Sequence, residues 1–215
     1  MAKVFVTGAT GFMGQRLCTA LVGRGHSVRG LARAGSEKRL AAGVEWAAGD
    51  PLKGASYREA VEGCDTLVHL VGVSHPSPAK ATQFRTIDLA SALQAIPMAV
   101  AARVHHFIYV SVAHPAAIMR EYIAARTEAE QAIRESGLTA TILRPWYVLG
   151  PGRRWPLVLA PVYRVMEAIP ATRDGARRLG LVSAEQMIAA MVRSVERPAP
   201  GVRVLTVPDI RRAVI

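Results

Sequence analysis

Short apolar runs alternate with amphipathic stretches along the first two thirds of the chain. The apolar runs predict six strands, at Val4–Thr7, Ser27–Leu31, Val44–Ala47, Thr66–Val71, Phe107–Ser111 and Ala140–Leu143. The stretches between them predict helices, at Gly11–Gly23, Lys38–Ala42, Ser56–Glu62, Thr82–Ala102 and Met119–Glu135. Strands that are apolar on both faces are typical of a parallel sheet covered by helices on both sides. The pattern therefore predicts an α/β fold with a doubly wound parallel sheet.

The pattern changes after Pro145, where a Gly150-Pro151-Gly152 loop precedes an interrupted helical stretch over 155–169. A strand at Leu179–Val182, a helix at Ala184–Glu196 and a strand at Val202–Val207 follow. This part is too short to be a domain by itself. We therefore predict one domain over residues 1–215, in which 146–215 contribute a small C-terminal cap on the substrate side of the sheet.

The overall composition is that of a globular protein. The chain has 215 residues, of which 51% are hydrophobic, and it contains no run of about 18 apolar residues that would predict a membrane span. Because Met1 leads directly into the first strand, we expect no signal peptide and a cytoplasmic location. Cys18 and Cys64 are expected to be reduced core residues, and the histidines have no metal-ligand spacing, so no metal is expected.

The net charge of +11 is high, and only four of the 27 basic residues are lysines. Such a surface attracts anions. The arginines are scattered, however, and form no basic-aromatic motif or helix-turn-helix pattern, so a nucleic-acid partner is not expected. We expect a small-molecule substrate and a monomer or homodimer.

The segment Thr7-Gly8-Ala9-Thr10-Gly11-Phe12-Met13-Gly14 lies between the first strand and the first helix. A strand, a glycine-rich turn and a helix form the context of a dinucleotide-binding loop. Gly8 would allow the tight turn, Gly11 a close approach of the backbone to a pyrophosphate, and Gly14 close packing of the helix on the strand. Phosphates are favoured at such a helix N-terminus. Thr7, Gly8, Thr10, Gly11, Phe12, Met13 and Gly14 are therefore predicted to bind the cofactor; the alternative is an ordinary turn.

Strand ends further along the chain add to this prediction. An acidic residue after the second strand would bind the ribose of NAD, but this chain has Arg33 there, with Lys38 and Arg39 soon after. A guanidinium pairs well with phosphate, so NADP(H) is favoured over NAD(H). The remaining predicted cofactor-binding residues are Asp50, Leu70, Val71, Gly72 and Pro145. The alternatives are a solvated arginine at 33, a capping role for Asp50 and a plain turn at Gly72.

Several motifs together resemble the short-chain dehydrogenase/reductase family, in particular its extended and atypical members. They are the glycine segment, Gly49-Asp50, Tyr109-Val110-Ser111, Tyr122-Ile123-Ala124-Ala125-Arg126, Ser136-Gly137-Leu138 and Leu143-Arg144-Pro145. The resemblance covers about the first 150 residues. It implies an NAD(P)-binding Rossmann fold and, in active members, a catalytic Ser, Tyr and Lys, the last two spaced Y-x-x-x-K.

Carried over by motif, the resemblance makes Ser111, Tyr122 and Arg126 the candidate catalytic residues. A tyrosine hydroxyl can protonate a developing alkoxide when a cation one helical turn away lowers its pKa. A serine at the neighbouring strand end would polarise the same oxygen. Arg126 departs from the family's lysine, and its bulkier fork does not replace an ammonium group. The structural alternatives are a helix aromatic for Tyr122 and a cap for Ser111, while Tyr109 is expected in the core.

Two functions from different classes follow. The first is an NADP(H)-dependent oxidoreductase acting on a small carbonyl or alcohol, or a related isomerase or epimerase, through Tyr122. The second is a catalytically impaired dinucleotide-binding sensor or accessory protein, similar to NmrA-like regulators and to the dinucleotide-binding accessory subunit of respiratory complex I. On the substrate side, the aromatics Trp146, Tyr147 and Trp155 are expected near the cleft and suggest an apolar or aromatic-lined pocket. The cap also has six arginines, which either favour an anionic substrate or only form a solvated face: Arg153, Arg154, Arg164, Arg173, Arg177 and Arg178.

Overall fold

A seven-stranded parallel sheet forms the centre of the protein in a computed structural model that describes residues 1–150, 169, 174–175 and 177–213. Its strands are β1 Lys3–Thr7, β2 Ser27–Ala32, β3 Glu45–Ala48, β4 Thr66–His69, β5 His106–Val110, β6 Ala140–Leu143 and β9 Val202–Leu205. They lie in the order β3-β2-β1-β4-β5-β6-β9. Two further strands, β7 Tyr147–Leu149 and β8 Leu181–Ser183, pair in parallel outside this sheet. The doubly wound parallel sheet predicted from the apolar runs is confirmed.

Helices cover both faces of the sheet. They are α1 Phe12–Gly23, α2 Arg58–Val61, α3 Ala81–Gln83, α4 Ala90–Ala101, α5 Arg120–Glu135, α6 Ala184–Glu196 and α7 Val207–Arg211. A π-helical turn, Phe84–Leu89, joins α3 to α4. Short 3-10 turns occur at Glu37–Arg39, Gly54–Tyr57 and Pro78–Lys80. Within the described residues, no helix is long and apolar enough to cross a membrane.

Alternation along the strands divides the core into two layers. On β1, the side chain of Phe5 joins the layer under α4 and α5, whereas Val4 and Val6 join the layer under α1 and α6. Because β1 contributes side chains to both layers, its three central residues are all apolar. All three residues are fully buried.

Helix α6 begins where a local sequence signal places it. The Ser183 hydroxyl accepts from the backbone N–H of Gln186 at 3.1 Å, and the Gln186 side-chain oxygen accepts from the N–H of Ser183 at 2.9 Å. This capping box satisfies two N–H groups that the helix cannot. The predicted helix over Ala184–Glu196 is therefore observed with the same bounds.

Two predictions of local structure are corrected. The helix predicted over Lys38–Ala42 is a single 3-10 turn at Glu37–Arg39, because an isolated segment of this length cannot offset the cost of helix nucleation. The prediction that the end of the chain belongs to a cap is also wrong in part. Strand β9 pairs with β6 from Ala140–Val202 to Leu143–Leu205 and so completes the main sheet. The predicted helical stretch over 155–169 lies almost entirely outside the described residues.

Candidate functional site

The glycine-rich loop lies against the end of β4. Gly8 has a φ of +72°, and a Cβ there would lie 2.8 Å from the carbonyl carbon of Leu70. A Cβ at Gly14 would lie 2.2 Å from the carbonyl oxygen of Gly8. The backbone N–H of Gly11 donates to that oxygen at 3.0 Å and closes the turn. The fold thus brings together two sets of residues predicted to bind the cofactor, the glycine segment and Leu70–Gly72.

The N-terminus of α1 is suited to an anionic group. Its N-cap is Gly11, which has no side chain to bond the free N–H groups of the first turn, and that turn has no acidic residue. Strands β2 and β4 lie on opposite sides of β1, so the strand order reverses beside this helix end. Such a reversal is where ligands bind in open α/β sheets. The loop, the helix end and the sheet therefore fit the pyrophosphate of a dinucleotide.

Basic residues lie beside this loop at the end of β2. Arg33 and Lys38 are exposed, and among the described residues neither has an ion-pair partner. Arg39, which directly follows Lys38, donates through Nη2 to the carbonyl of Thr10 at 3.1 Å. The side chain of Gln15 on α1 donates to the carbonyl of Arg39 at 2.7 Å. These two bonds hold a third basic residue against the glycine-rich loop.

Other residues predicted to bind the cofactor already make local contacts. The Asp50 carboxylate accepts from the N–H of Leu52 at 3.0 Å, a contact within the turn that follows β3. Pro145 is buried, and its carbonyl accepts from the N–H of Ala113 at 2.8 Å. The ring of Phe12 packs against Gly150, where an added Cβ would lie only 2.5 Å from the Cζ of Phe12.

Tyr122 lies in the first turn of α5 and is half-buried. Its ring packs against Phe84 with 4.9 Å between the ring centroids. The Cζ of Arg126 lies 5.2 Å from the centroid of the Tyr122 ring. The spacing of four residues thus places a tyrosine and a cation on one face of the helix, as expected.

The guanidinium of Arg126 is buried and hydrogen-bonds three neighbours through its two Nη atoms, whereas its Nε has no partner among the described residues. Its Nη2 donates to Asp88 Oδ1 at 2.5 Å, and its Nη1 donates to the carbonyl of Val110 at 2.8 Å and to the Tyr109 hydroxyl at 3.3 Å. Burial raises the pKa of Asp88 above its usual range, while Arg126 and the N–H of Val73 act in the opposite direction. Arg126 therefore belongs to a buried ion pair rather than reaching freely into the cleft.

Ser111 does not face an open site. It is 2% exposed, and its hydroxyl donates to Glu130 Oε1 at 2.6 Å. The same carboxylate accepts from Arg144 at 2.9 Å and 2.5 Å. Because a hydroxyl has one proton, Ser111 cannot polarise a substrate oxygen while it makes this bond. In this structure Ser111 links the end of β5 to α5, and its predicted catalytic role stays a prediction.

A buried histidine supports the strand that leads into the glycine-rich loop. His69 on β4 hydrogen-bonds Thr7 through Nδ1 at 2.9 Å and Ser91 through Nε2 at 3.2 Å. Its ring stacks on Tyr109, whose pKa burial raises to about 12. Burial, with a contribution from Arg126, lowers the pKa of His69 to about 3. His69 is therefore neutral in the folded protein at all ordinary pH values.

This neutrality predicts acid destabilisation. An unfolded histidine has a pKa of about 6.5, whereas His69 in the folded protein has a pKa of about 3. Between these two pH values the unfolded chain therefore binds a proton that the folded chain does not bind. The contribution of His69 to the free energy of unfolding is therefore fully present above pH 6.5. It decreases by about 1.4 kcal/mol per pH unit as the pH falls from 6.5 toward 3. Calorimetric melting at pH 7 and pH 5 measures this loss of stability. The loss should be smaller in His69→Gln, whereas His105→Gln, at an exposed histidine, should lose as much stability as the unaltered chain. Equal losses in all three proteins would contradict the prediction.

Several residues of the site were not singled out from the sequence as site residues. Asp88, Glu130 and His69 are buried polar residues in helical or strand segments, where a lone acid or histidine carries no motif. One signal was available for Glu130, which follows Tyr122 and Arg126 at the same four-residue spacing and so shares their helix face. Asp88 had no such signal, because its partner lies 38 residues away.

The predicted substrate side is only partly described. Trp146 and Tyr147 pack edge to face with 5.8 Å between the ring centroids. Arg177 is exposed and Arg178 half-buried. The remaining predicted residues, Trp155, Arg153, Arg154, Arg164 and Arg173, lie outside the described residues. In the part that is described, no group of three or more His, Cys, Asp or Glu side chains could hold a metal ion.

Comparison with known proteins agrees with this geometry. Residues 8–155 match a family described as NAD(P)H-binding. The chain is 33% identical over 154 residues to "Uncharacterized sugar epimerase YhfK" of Bacillus subtilis (strain 168), covering 66% of this chain and 71% of that protein. It is 27% identical over 170 residues to the 4-hydroxy-2-methyl-3-oxo-4-farnesyl-3,4-dihydroquinoline-1-oxide ketoreductase of Stigmatella aurantiaca, covering 69% of this chain and 51% of that protein. The chain thus spans about half the length of that ketoreductase.

Solved structures show the same fold. The Bordetella bronchiseptica enzyme WbmH in complex with NAD+ superposes with a TM-score of 0.71 at 20% identity, covering 96% of this chain and 76% of that one. The UDP-glucuronic acid 4-epimerase from Bacillus cereus in complex with NAD superposes with a TM-score of 0.69 at 18% identity, covering 95% of this chain and 77% of that one.

Proposed function

Because the chain belongs to the NAD(P)H-binding family of Rossmann domains, we propose that it is an NADP(H)-dependent oxidoreductase acting on a small carbonyl or alcohol. The observation that carries this proposal is the position of Tyr122. It is a half-buried tyrosine in the first turn of α5, with a guanidinium 5.2 Å from its ring centroid. That guanidinium lies beside Gly72, one of the residues predicted to contact the cofactor. The reductases among the matched proteins support the same activity.

The described residues have distinct parts in this proposal. The glycine-rich loop and the end of β4 would hold the dinucleotide, which would supply hydride-transfer chemistry when bound. The Tyr122 hydroxyl donates its proton to the substrate oxygen in reduction and takes it back in oxidation. Arg126 contributes positive charge next to the tyrosine ring, and Ser111 takes no part while it is bonded to Glu130.

A preference for NADP(H) is part of the proposal. Arg33 is exposed and, among the described residues, has no acidic partner. Arg39 is held against the glycine-rich loop by its bond to Thr10. Guanidinium groups at the end of the second strand are suited to the 2′-phosphate that distinguishes NADP from NAD.

Arg33→Asp should therefore weaken NADPH binding by about 10- to 100-fold, the effect of losing a charge-assisted bond. NADH binding should change far less, because NADH has no 2′-phosphate. Isothermal titration calorimetry with both cofactors measures the two dissociation constants. Arg103→Asp is the matched control, because it makes the same charge change in the turn after α4. Parallel changes for NADPH and NADH in Arg33→Asp would refute the proposed role.

The proposed activity is tested by NADPH consumption with a panel of aldehydes, ketones and quinones. Turnover of at least one class, together with NADPH binding, is the expected result. Tight binding without turnover on the whole panel would reject the oxidoreductase and favour a second function.

That second function is a dinucleotide-binding sensor or accessory protein. A specific observation favours it: Arg126 occupies the position of the family's lysine, and its guanidinium is committed to Asp88, Val110 and Tyr109. An arginine held in this way is a poor substitute for a mobile ammonium group.

A further inference from the structure

The π-helical turn Phe84–Leu89 provides the partners of both Tyr122 and Arg126. Phe84 packs on the ring of Tyr122, and Asp88 accepts from Arg126. Phe84 is 1% exposed and Asp88 is fully buried. π-Helical turns are rare and occur frequently at functional sites. One short turn therefore faces both residues of the predicted catalytic helix.

The two carboxylate oxygens of Asp88 bind two separate parts of the fold. Oδ1 accepts from Arg126 Nη2 at 2.5 Å, and Oδ2 accepts from the backbone N–H of Val73 at 2.9 Å. Gly72 directly precedes Val73, and a Cβ there would lie 2.4 Å from the same Nη2 of Arg126. The carboxylate, the guanidinium and the Gly72–Val73 backbone are thus in mutual contact.

This contact continues to the glycine-rich loop. Leu70, two residues before Gly72, donates its N–H to the carbonyl of Thr7 at 3.2 Å. The carbonyl carbon of Leu70 lies against Gly8 closely enough to exclude a Cβ. A shift of the segment from Leu70 to Val73 would therefore alter the backbone on which the glycine-rich loop packs.

Among the described residues, Asp88 is the one ion-pair partner of Arg126. The side chains of Arg126 and Asp88 are 6% and 0% exposed. The other hydrogen bonds of the guanidinium are to uncharged groups, the Val110 carbonyl and the Tyr109 hydroxyl. Removing one charge of a buried pair leaves the other uncompensated, which is strongly unfavourable.

We propose that Asp88 is a positioning residue of the dinucleotide site, which holds the Gly72–Val73 segment and the Arg126 guanidinium as one buried unit. It acts through Val73 and Arg126 and sets the backbone that faces the cofactor. This inference rests on the proposed function, because it takes Leu70–Gly72 to contact the dinucleotide.

Asp88→Asn in the full chain tests the proposal. The amide keeps the shape of the side chain but loses the charge and one of the two acceptors. The dissociation constant for NADPH, measured by calorimetry, should rise about tenfold, and Tm should fall by about 5 °C. In the double variant Asp88→Asn/Arg126→Gln, Tm should partly recover because no buried charge is left unpaired, whereas NADPH affinity should remain low.

Two further variants separate positioning from stability. Asp88→Glu keeps the charge but places the carboxylate one methylene further from the backbone. It should therefore raise the NADPH dissociation constant while lowering Tm less than Asp88→Asn does. Ile133→Ala removes fully buried side-chain volume from the far half of α5. It should lower Tm as Asp88→Asn does, without changing NADPH binding.

The outcomes are distinct. If Asp88→Asn and Asp88→Glu lower Tm but bind NADPH like the unaltered chain, Asp88 only stabilises the fold; the positioning proposal then fails and the proposed function stands. If the unaltered chain binds neither NADPH nor NADH, both are overturned.

Discussion

Tyr122→Phe is expected to lower kcat by about 10²- to 10⁴-fold, the range in which a positioned general acid contributes. The substitution removes one hydroxyl and keeps the ring, which packs on Phe84 and lies near the Arg126 guanidinium. NADPH affinity should stay within about twofold of the unaltered chain, because the loss concerns proton transfer and not binding. Steady-state kinetics with any substrate found in the panel and calorimetry with NADPH give the two quantities.

Tyr57→Phe is the matched control for this substitution. Tyr57 is 2% exposed, its ring stacks on Phe5 at 5.8 Å, and its hydroxyl has no hydrogen-bond partner among the described residues. Removing that hydroxyl should leave both kcat and Tm nearly unchanged. Retention of most of kcat in Tyr122→Phe would mean that the proton comes from another group.

Gly14→Ala should nearly abolish NADPH binding, with a loss of at least about 100-fold, the scale of a 1 Å misplacement in a preorganised site. The new Cβ would lie 2.2 Å from the carbonyl oxygen of Gly8 and 2.7 Å from the Cα of Ala9. Both are backbone atoms, so the glycine-rich loop must move away from α1. Overpacking of this kind also destabilises by about 1–3 kcal/mol, which thermal melting measures alongside the NADPH titration.

Gly23→Ala makes the same change at the other end of α1. A Cβ at Gly23 meets nothing within 4 Å, and alanine is the better helix former by about 1 kcal/mol. This variant should bind NADPH normally and melt slightly higher. Normal NADPH binding by Gly14→Ala would show that the described loop is not the conformation that binds the dinucleotide.

Local signals in the sequence were strong enough to predict the local geometry of the glycine-rich loop and of the first turns of α5. The glycine spacing between an apolar strand and an amphipathic helix predicted the loop, because glycine adopts the φ of +72° at Gly8 most readily and has no Cβ to clash with the backbone at Gly14. The four-residue spacing of Tyr122 and Arg126 predicted a shared helix face. For Ser111 the motif did not indicate that Glu130 accepts a hydrogen bond from its hydroxyl, because a strand-end position carries no information about a partner on another element.

Alternating apolar segments, capping residues and glycines act over a few residues, and they specified the strands, the helices, the parallel sheet and the dinucleotide loop. The partners of buried charges lie far away in the sequence. They depend on which helix packs on which strand. Asp88 meets Arg126 across 38 residues and Val73 across 15, and Glu130 meets Ser111 across 19. A buried charge must find a partner wherever the packed chain offers one. For that reason only the three-dimensional arrangement shows that the arginine below Tyr122 is held by a carboxylate, and that the same carboxylate holds the backbone beside the glycine-rich loop.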